Sequence, residues 1–288
     1  MSEQAFQIDK QQARLAFEKS ATSYDEAAVL QREIGNRMLE RLDYINHQPK
    51  MILDVGAGTG FCAHHLAERY AKSEIYALDF AVNMLRQARA STSWWQRLRH
   101  RFTFIAGDAE QLPLADGSID MLVSSLAIQW CNDLDRVFAE FRRVLAPGGM
   151  LMFTTFGPDT LKELRASWAE ADGVSHVNQF FDMHDIGDAL MRHGFAEPVM
   201  DTEYLTMTYR DALTLMKDLK QIGAHNVMQG RSRHLTSKSQ LKQMLAAYEQ
   251  FRADGVLPAS YEVVYGHAWA PVLQQTVIPV TQFQPATK

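Results

Sequence analysis

The chain has 288 residues, with 29 Lys and Arg against 34 Asp and Glu for a formal net charge of −5, and its 47% hydrophobic content excludes a compositionally disordered chain. No apolar run approaches the roughly 18 to 20 residues that span a bilayer, and the charged start (Asp9, Lys10, Arg14, Glu18, Lys19) fits neither a secretory signal nor an acid-poor transit peptide. Cys62 and Cys131 alone are too few for a disulfide framework, so the expected setting is reducing and cytoplasmic, away from membranes.

Residues 5–43 read as helical, with an intermittent apolar stripe from Ala13 to Leu42 that breaks near Ser20 to Tyr24. A strand follows over residues 51–55, then Gly56-Ala57-Gly58-Thr59-Gly60, then a helix ending near Tyr70. The pattern continues with strands at 74–79, 102–106, 119–124 and 150–156, and helices at 81–90 and 134–145. Strands alternating with helices predict parallel βαβ units in a doubly wound α/β sheet. Helices are expected at 159–171 and 182–193, the latter closed by Gly194. A strand at 199–209, helices at 210–222 and 237–253 and a strand at 261–269 complete the chain. The implied organisation is an N-terminal helical lid (1–46), a core (47–204), a helical insertion (205–258), a last core strand (259–271) and a tail (272–288).

The glycine turn is the most specific element. Glycines at a strand end let backbone approach a ligand and leave helix N–H groups facing it. Their spacing is G-x-G-x-G, tighter than the dinucleotide G-x-G-x-x-G. Asp79 closes the second strand 19 residues after Gly60, where a ribose diol would lie. Asp108 follows the third strand. No HExxH or comparable spacing of His or Cys is present, so no metal is expected. Trp94 and Trp95 stand among Arg97, Arg99 and Arg101, but the overall negative charge favours a solvated linker over a nucleic-acid site.

With Asp54 two residues before Gly56, this turn resembles the first motif of class I S-adenosylmethionine-dependent methyltransferases, whose fold is a mostly parallel, Rossmann-like sheet. The segments 116–120 and 143–149 also resemble that class and are mainly structural there. More closely, the chain resembles the malonyl-acyl-carrier-protein O-methyltransferases of biotin synthesis. The resemblance rests on Ala16-Phe17, Ala21 and Tyr24, Leu30-Gln31-Arg32, Leu126 to Cys131, Phe153-Thr154-Thr155-Phe156, Leu219 to Ala224, Gly230-Arg231 and Leu235-Thr236. It covers roughly residues 10–270, and its insertion segment separates this group from generic methyltransferases. Ala57 and Thr59 depart from the Cys and Pro often found there.

The resemblance implies that S-adenosylmethionine is held by Gln31, Asp54, Gly56, Gly58, Gly60, Asp79, Phe80, Met84, Asp108, Ala109 and Leu126, with Asp108 on the adenine amino group. Tyr24, Gln129 and Trp130 are the candidates for holding the reacting groups. An Arg is expected to meet the malonyl carboxylate, with Arg32 and Arg231 offered for it. Such a carboxylate is ionised at neutral pH, with a free pKa near ~4, and needs no general base. Methylation removes its charge, so the product can pass as an ordinary acyl chain through elongation. Residues 210–244 hold seven Lys and Arg against two Asp, so Lys217, Lys220, Arg231 and Arg233 are expected to dock an acidic carrier protein. Two other readings compete: methylation of a quinone precursor or similar small molecule, and an assembly factor on the same fold without methyl transfer.

Overall fold

A computed structural model of the protein describes residues 7–99, 102–174, 176–224, 226–229 and 236–272. Seven strands form one sheet: β1 Met51–Val55, β2 Glu74–Asp79, β3 Phe102–Ala106, β4 Ile119–Ser125, β5 Leu145–Phe156, β6 Ala196–Tyr209 and β7 Leu257–Trp269. Their order is β3-β2-β1-β4-β5-β7-β6; the first five pair in parallel, and β7 runs antiparallel between β5 and β6. Consecutive strand residues feed opposite cores. Ile52, Met121, Met150 and Met152 pack one face, whereas Leu53, Leu122, Leu151 and Phe153 pack the other.

Helices cover both faces. On the first lie α3 (Val29–Arg41), α4 (Phe61–Arg69), α8 (Lys162–Ala171), α10 (Ala212–Gln221) and α11 (Lys238–Tyr248); on the second lie α7 (Leu134–Val144) and α9 (Met183–Arg192). The stripe of α7 buries Leu134, Val137, Phe138, Phe141 and Val144, positions that recur on one face of a helix. Side chains cap these helices at Asp133, Asp182, Asp211 and Ser237, the last in a capping box with Gln240. Helix α9 ends before Gly194, whose φ of 71° is the left-handed closure expected there. The segment 116–120 is structural: Asp120 accepts the Lys50 and Met51 N–H groups, and Arg143 pairs with Asp116.

Several boundaries move. The N-terminal helices are α1 (Lys10–Ser20), α2 (Tyr24–Ala27) and α3, and α3 buries Leu30, Ile34 and Met38 in the main core, so residues 29–41 belong with the core and not with a separate segment 1–46. The expected insertion 205–258 is shorter, because β6 runs to Tyr209 and β7 already begins at Leu257. Pro258 disguises that start. It sits where β7 overhangs the end of β5, whose pairing stops at Val263, so no second ladder needs its missing N–H. Helix α5 (Val82–Ser91) matches the helix expected at 81–90, and the linker after it contains the short helix α6 (Trp94–Arg99), where the indoles of Trp94 and Trp95 stack, exposed, 3.7 Å apart.

Candidate active site

The strand order reverses between β1 and β4, which opens a crevice above their C-terminal ends. Two chambers of about 650 and 460 Å3 meet there, sharing Tyr24, Gly56, Gly58 and Ser125.

The glycine turn forms the wall between them, with φ of 73°, 54° and 89° at Gly56, Gly58 and Gly60. A Cβ on Gly56 would come within 2.2 Å of the Ala127 Cβ, whereas one on Gly58 would meet nothing within 4 Å and would project into open space. Gly60 behaves differently from the sequence expectation. It borders neither chamber, and a Cβ there would press on Ala88 and His64, so it lets α4 pack against α5.

Asp79 is buried at the end of β2, its two oxygens accepting the Gly58 and Ala81 N–H groups at 2.8 Å each. Burial pushes its carboxyl up to about 6, against those two hydrogen bonds. Asp54 lines the smaller chamber, and its Oδ2 meets no hydrogen-bond donor among the described residues. Burial pushes it to about 7, opposed by the Ala63 N–H in the first turn of α4. A buried carboxylate with an unpaired oxygen in the lining of a cavity is a candidate receptor for a cation. Gln31 and Arg32 line the same chamber, and Arg32 donates only to the Asp25 carbonyl, with no carboxylate partner among the described residues.

The larger chamber is lined by Phe80, Met84, Asp108, Ala109, Leu126 and Trp130, as expected, and by Phe17 and Lys10, which sequence reasoning did not single out as site residues. The Trp130 ring meets Phe17 edge-on at 5.1 Å, and Phe17 lies 5.8 Å from Phe80. Phe17 was visible within the Ala16-Phe17 motif; nothing local marked Lys10, which donates to both Asp108 oxygens at 2.8 Å and reaches Glu110 at 2.9 Å. Leu126 holds φ of 51°, a strained value for a branched side chain, with its N–H on the Thr154 carbonyl and hydroxyl. Tyr24 borders both chambers, and burial beside Asp79 pushes its phenol well above the usual range.

Gln129 departs from expectation. It is buried beside Thr155, whose hydroxyl donates to its Oε1 at 3.3 Å, and it lines neither chamber. In the short 3-10 turn Ile128–Trp130, neighbouring side chains diverge, so Trp130 faces the cavity and Gln129 does not. Lys217 and Lys220 are exposed on α10, while Arg231 and Arg233 lie outside the described residues. Among the described residues no three His, Cys, Asp or Glu side chains gather as a metal requires, and no helix is long and apolar enough to cross a membrane.

Known proteins resemble this chain in sequence and in fold. Residues 53–153 match the Methyltransferase domain family. The malonyl-[acyl-carrier protein] O-methyltransferase of Gallionella capsiferriformans is 53% identical, covering 92% of both chains. That of a Methylovorus species is 50% identical over 99% of this chain and 98% of its own. In fold, the chain resembles the YcgJ protein of Bacillus subtilis, with a TM-score of 0.59 at 14% identity, covering 81% of this chain and 97% of that one. It also resembles a Haemonchus contortus phosphoethanolamine N-methyltransferase solved with S-adenosyl-L-methionine, with a TM-score of 0.51 at 18% identity, over 88% of this chain and 57% of that one.

Proposed function

The chain belongs to the malonyl-[acyl-carrier protein] O-methyltransferases, and from that premise we propose how its residues carry the transfer of a methyl group from S-adenosylmethionine to the free carboxylate of a malonyl thioester. The observation that carries this reading is the orphaned oxygen of Asp54, a buried residue that lines a chamber joined to an aromatic one beyond Gly58. An amino-acid zwitterion fits the smaller chamber, its ammonium toward Asp54 and its carboxylate toward Arg32. Arg32 is therefore assigned to the donor, which revises its provisional place on the malonyl group. The ribose end belongs to Asp79, and the base to Asp108, Ala109, Phe80 and Met84.

S-adenosylmethionine, when bound, supplies a methyl group already activated on a sulfonium. The residues therefore have only to align, desolvate and shield. Tyr24 at the junction of the chambers and Phe17 and Trp130 in the larger one present aromatic surface, which keeps water out and favours a cation by about 1 kcal/mol per well-placed face. Neither partner needs a proton moved. An ionised carboxylate needs no base to attack, and the raised Tyr24 phenol stays protonated as a hydrogen-bond donor.

We assign the exposed pair Lys217 and Lys220 to an acidic carrier protein. The test offers malonyl carrier protein, malonyl-coenzyme A and free malonate in parallel with the donor. A gain of one methyl mass on the carrier-bound malonyl group is the expected result. No gain on any of the three overturns the assignment, and gain on the coenzyme A ester alone removes the carrier from it.

A further inference from the structure

The structure assigns to Lys10 a positioning role: its bridge to Asp108 and Glu110 couples the nucleobase end of the cavity to the insertion segment 226–229. This rests on the donor reading of the cavity given above. Lys10 opens α1 and is three-quarters buried, with a relative side-chain exposure of 25% against 13% for Glu110. Burial alone lowers its pKa, but the hydrogen bonds to Asp108 and Glu110 outweigh that and hold it above the ordinary lysine value. One ammonium thus neutralises one of two carboxylates that otherwise repel across the rim of the chamber.

The bridge continues in both directions. Glu110 accepts the Asn132 backbone N–H at 2.7 Å, and the Asn132 side chain closes on Ile8, accepting its N–H at 2.6 Å and donating to its carbonyl at 3.0 Å. From that segment the chain reaches the insertion. The Asp9 N–H donates to the Val227 carbonyl, and the Gln229 N–H to the Gln7 carbonyl, both at 2.8 Å. Val227 and Met228 are buried against Ile8 and Ala13, with Phe80 and Trp130 packed beneath. Segment 226–229 therefore lies over the aromatic wall only while residues 7–10 are held down, and Lys10 ties them to Asp108.

Asp108 can serve two masters. A carboxylate offers about four acceptor positions, and here the Lys10 ammonium and the Glu110 N–H leave room for one more donor. An exocyclic amine there would complete the cluster without displacing Lys10. Filling the chamber then tightens the latch, and the acceptor meets a closed strap only after the donor has bound.

The experiment measures amide exchange at Asp9 and Gln229 in the full-length protein, with and without S-adenosylhomocysteine, alongside calorimetry. In the unaltered protein the added nucleoside should slow both amides by about tenfold or more. Lys10→Met should bind it more weakly and lose that slowing, with the KM for malonyl carrier protein raised by a larger factor than kcat falls, because Lys10 touches no reacting atom. Lys10→Arg should restore both. Asn132→Ala, which cuts the clamp at Ile8 and spares the charges, should reproduce the loss and covers the case that Lys10→Met does not fold. Retained slowing in Lys10→Met or Asn132→Ala, or a fall in kcat at constant KM, overturns the inference. If the unaltered protein fails to bind S-adenosylhomocysteine, the donor reading itself falls.

Discussion

Asp54→Asn should make the donor-free protein more stable at pH 8 while weakening donor binding. A carboxyl whose folded pKa lies above its unfolded value stabilises the fold only while protonated. That contribution is full below about pH 4 and is lost as pH rises through about 7, the value to which burial raises Asp54 from 3.8. At about 1.4 kcal/mol for each pH unit between them, the ionised group costs the donor-free fold about 4 kcal/mol at pH 8. The amide abolishes that cost but places an NH2 where Oδ2 met no donor, which takes back about 1 to 3 kcal/mol. The net gain is about 1 to 3 kcal/mol at pH 8 and vanishes or reverses at pH 5. Donor affinity should fall by about 10- to 100-fold, the loss of one charge-assisted bond. Denaturant titrations at the two pH values, with calorimetry for the donor, read both effects. A variant no more stable than the parent at pH 8, or one that keeps its donor affinity, would refute the assignment of Asp54 as the cation receptor.

Three further outcomes follow from the same geometry. Gly58→Ala should lose donor affinity with only about 1 to 2 kcal/mol of stability, the cost of a left-handed alanine, while Gly60→Ala should lose stability through its contact with Ala88, so equal effects on donor binding would sink the distinction. With donor saturating, kcat should stay nearly flat from pH 6.5 to 8.5, whereas apparent donor affinity should fall as pH drops through about 7 and Asp54 takes up its proton; a steep rise of single-turnover rate through neutrality would reveal a base. Reversing Lys217 and Lys220 to Glu should raise the KM for malonyl carrier protein and spare turnover of a small malonyl thioester; equal losses with both substrates, or a carrier reaction indifferent to salt, would rule out docking there.

What was legible in the sequence was local. Asp54, the glycine turn and Asp79 lie within 26 residues, each at a strand end that period and glycine mark directly. Spacing could not say which glycine faces the ligand, because Gly58 and Gly60 both have left-handed φ and differ only in what a Cβ would meet. Lys10 carried no signal, since its partners stand 98 and 100 residues away, and Asn132 finds Ile8 across 124. Gln129 and Trp130 looked equivalent in the chain and were separated only by the turn that holds them. The insertion was recognisable as helical, but its edges were hidden by Pro258 and by the length of β6.

Those edges give the insertion an unusual kind of independence. Tyr209 and Leu257 are the final register pair of the β6–β7 ladder, so their Cα atoms sit about 5 Å apart, the separation a two-residue turn would bridge. To the sheet, everything between them is the tip of a hairpin, and its length costs closure entropy only logarithmically. Exchange of this one tip therefore leaves unaltered the strands whose ends carry Asp54, Asp79 and Asp108. The constraints on such exchange are the core-facing sides of α10 and α11, which bury Ala212, Leu215, Met244 and Tyr248, and the short stretch around Val227, which any replacement must reproduce if the N-terminal segment is still to lie over the cavity.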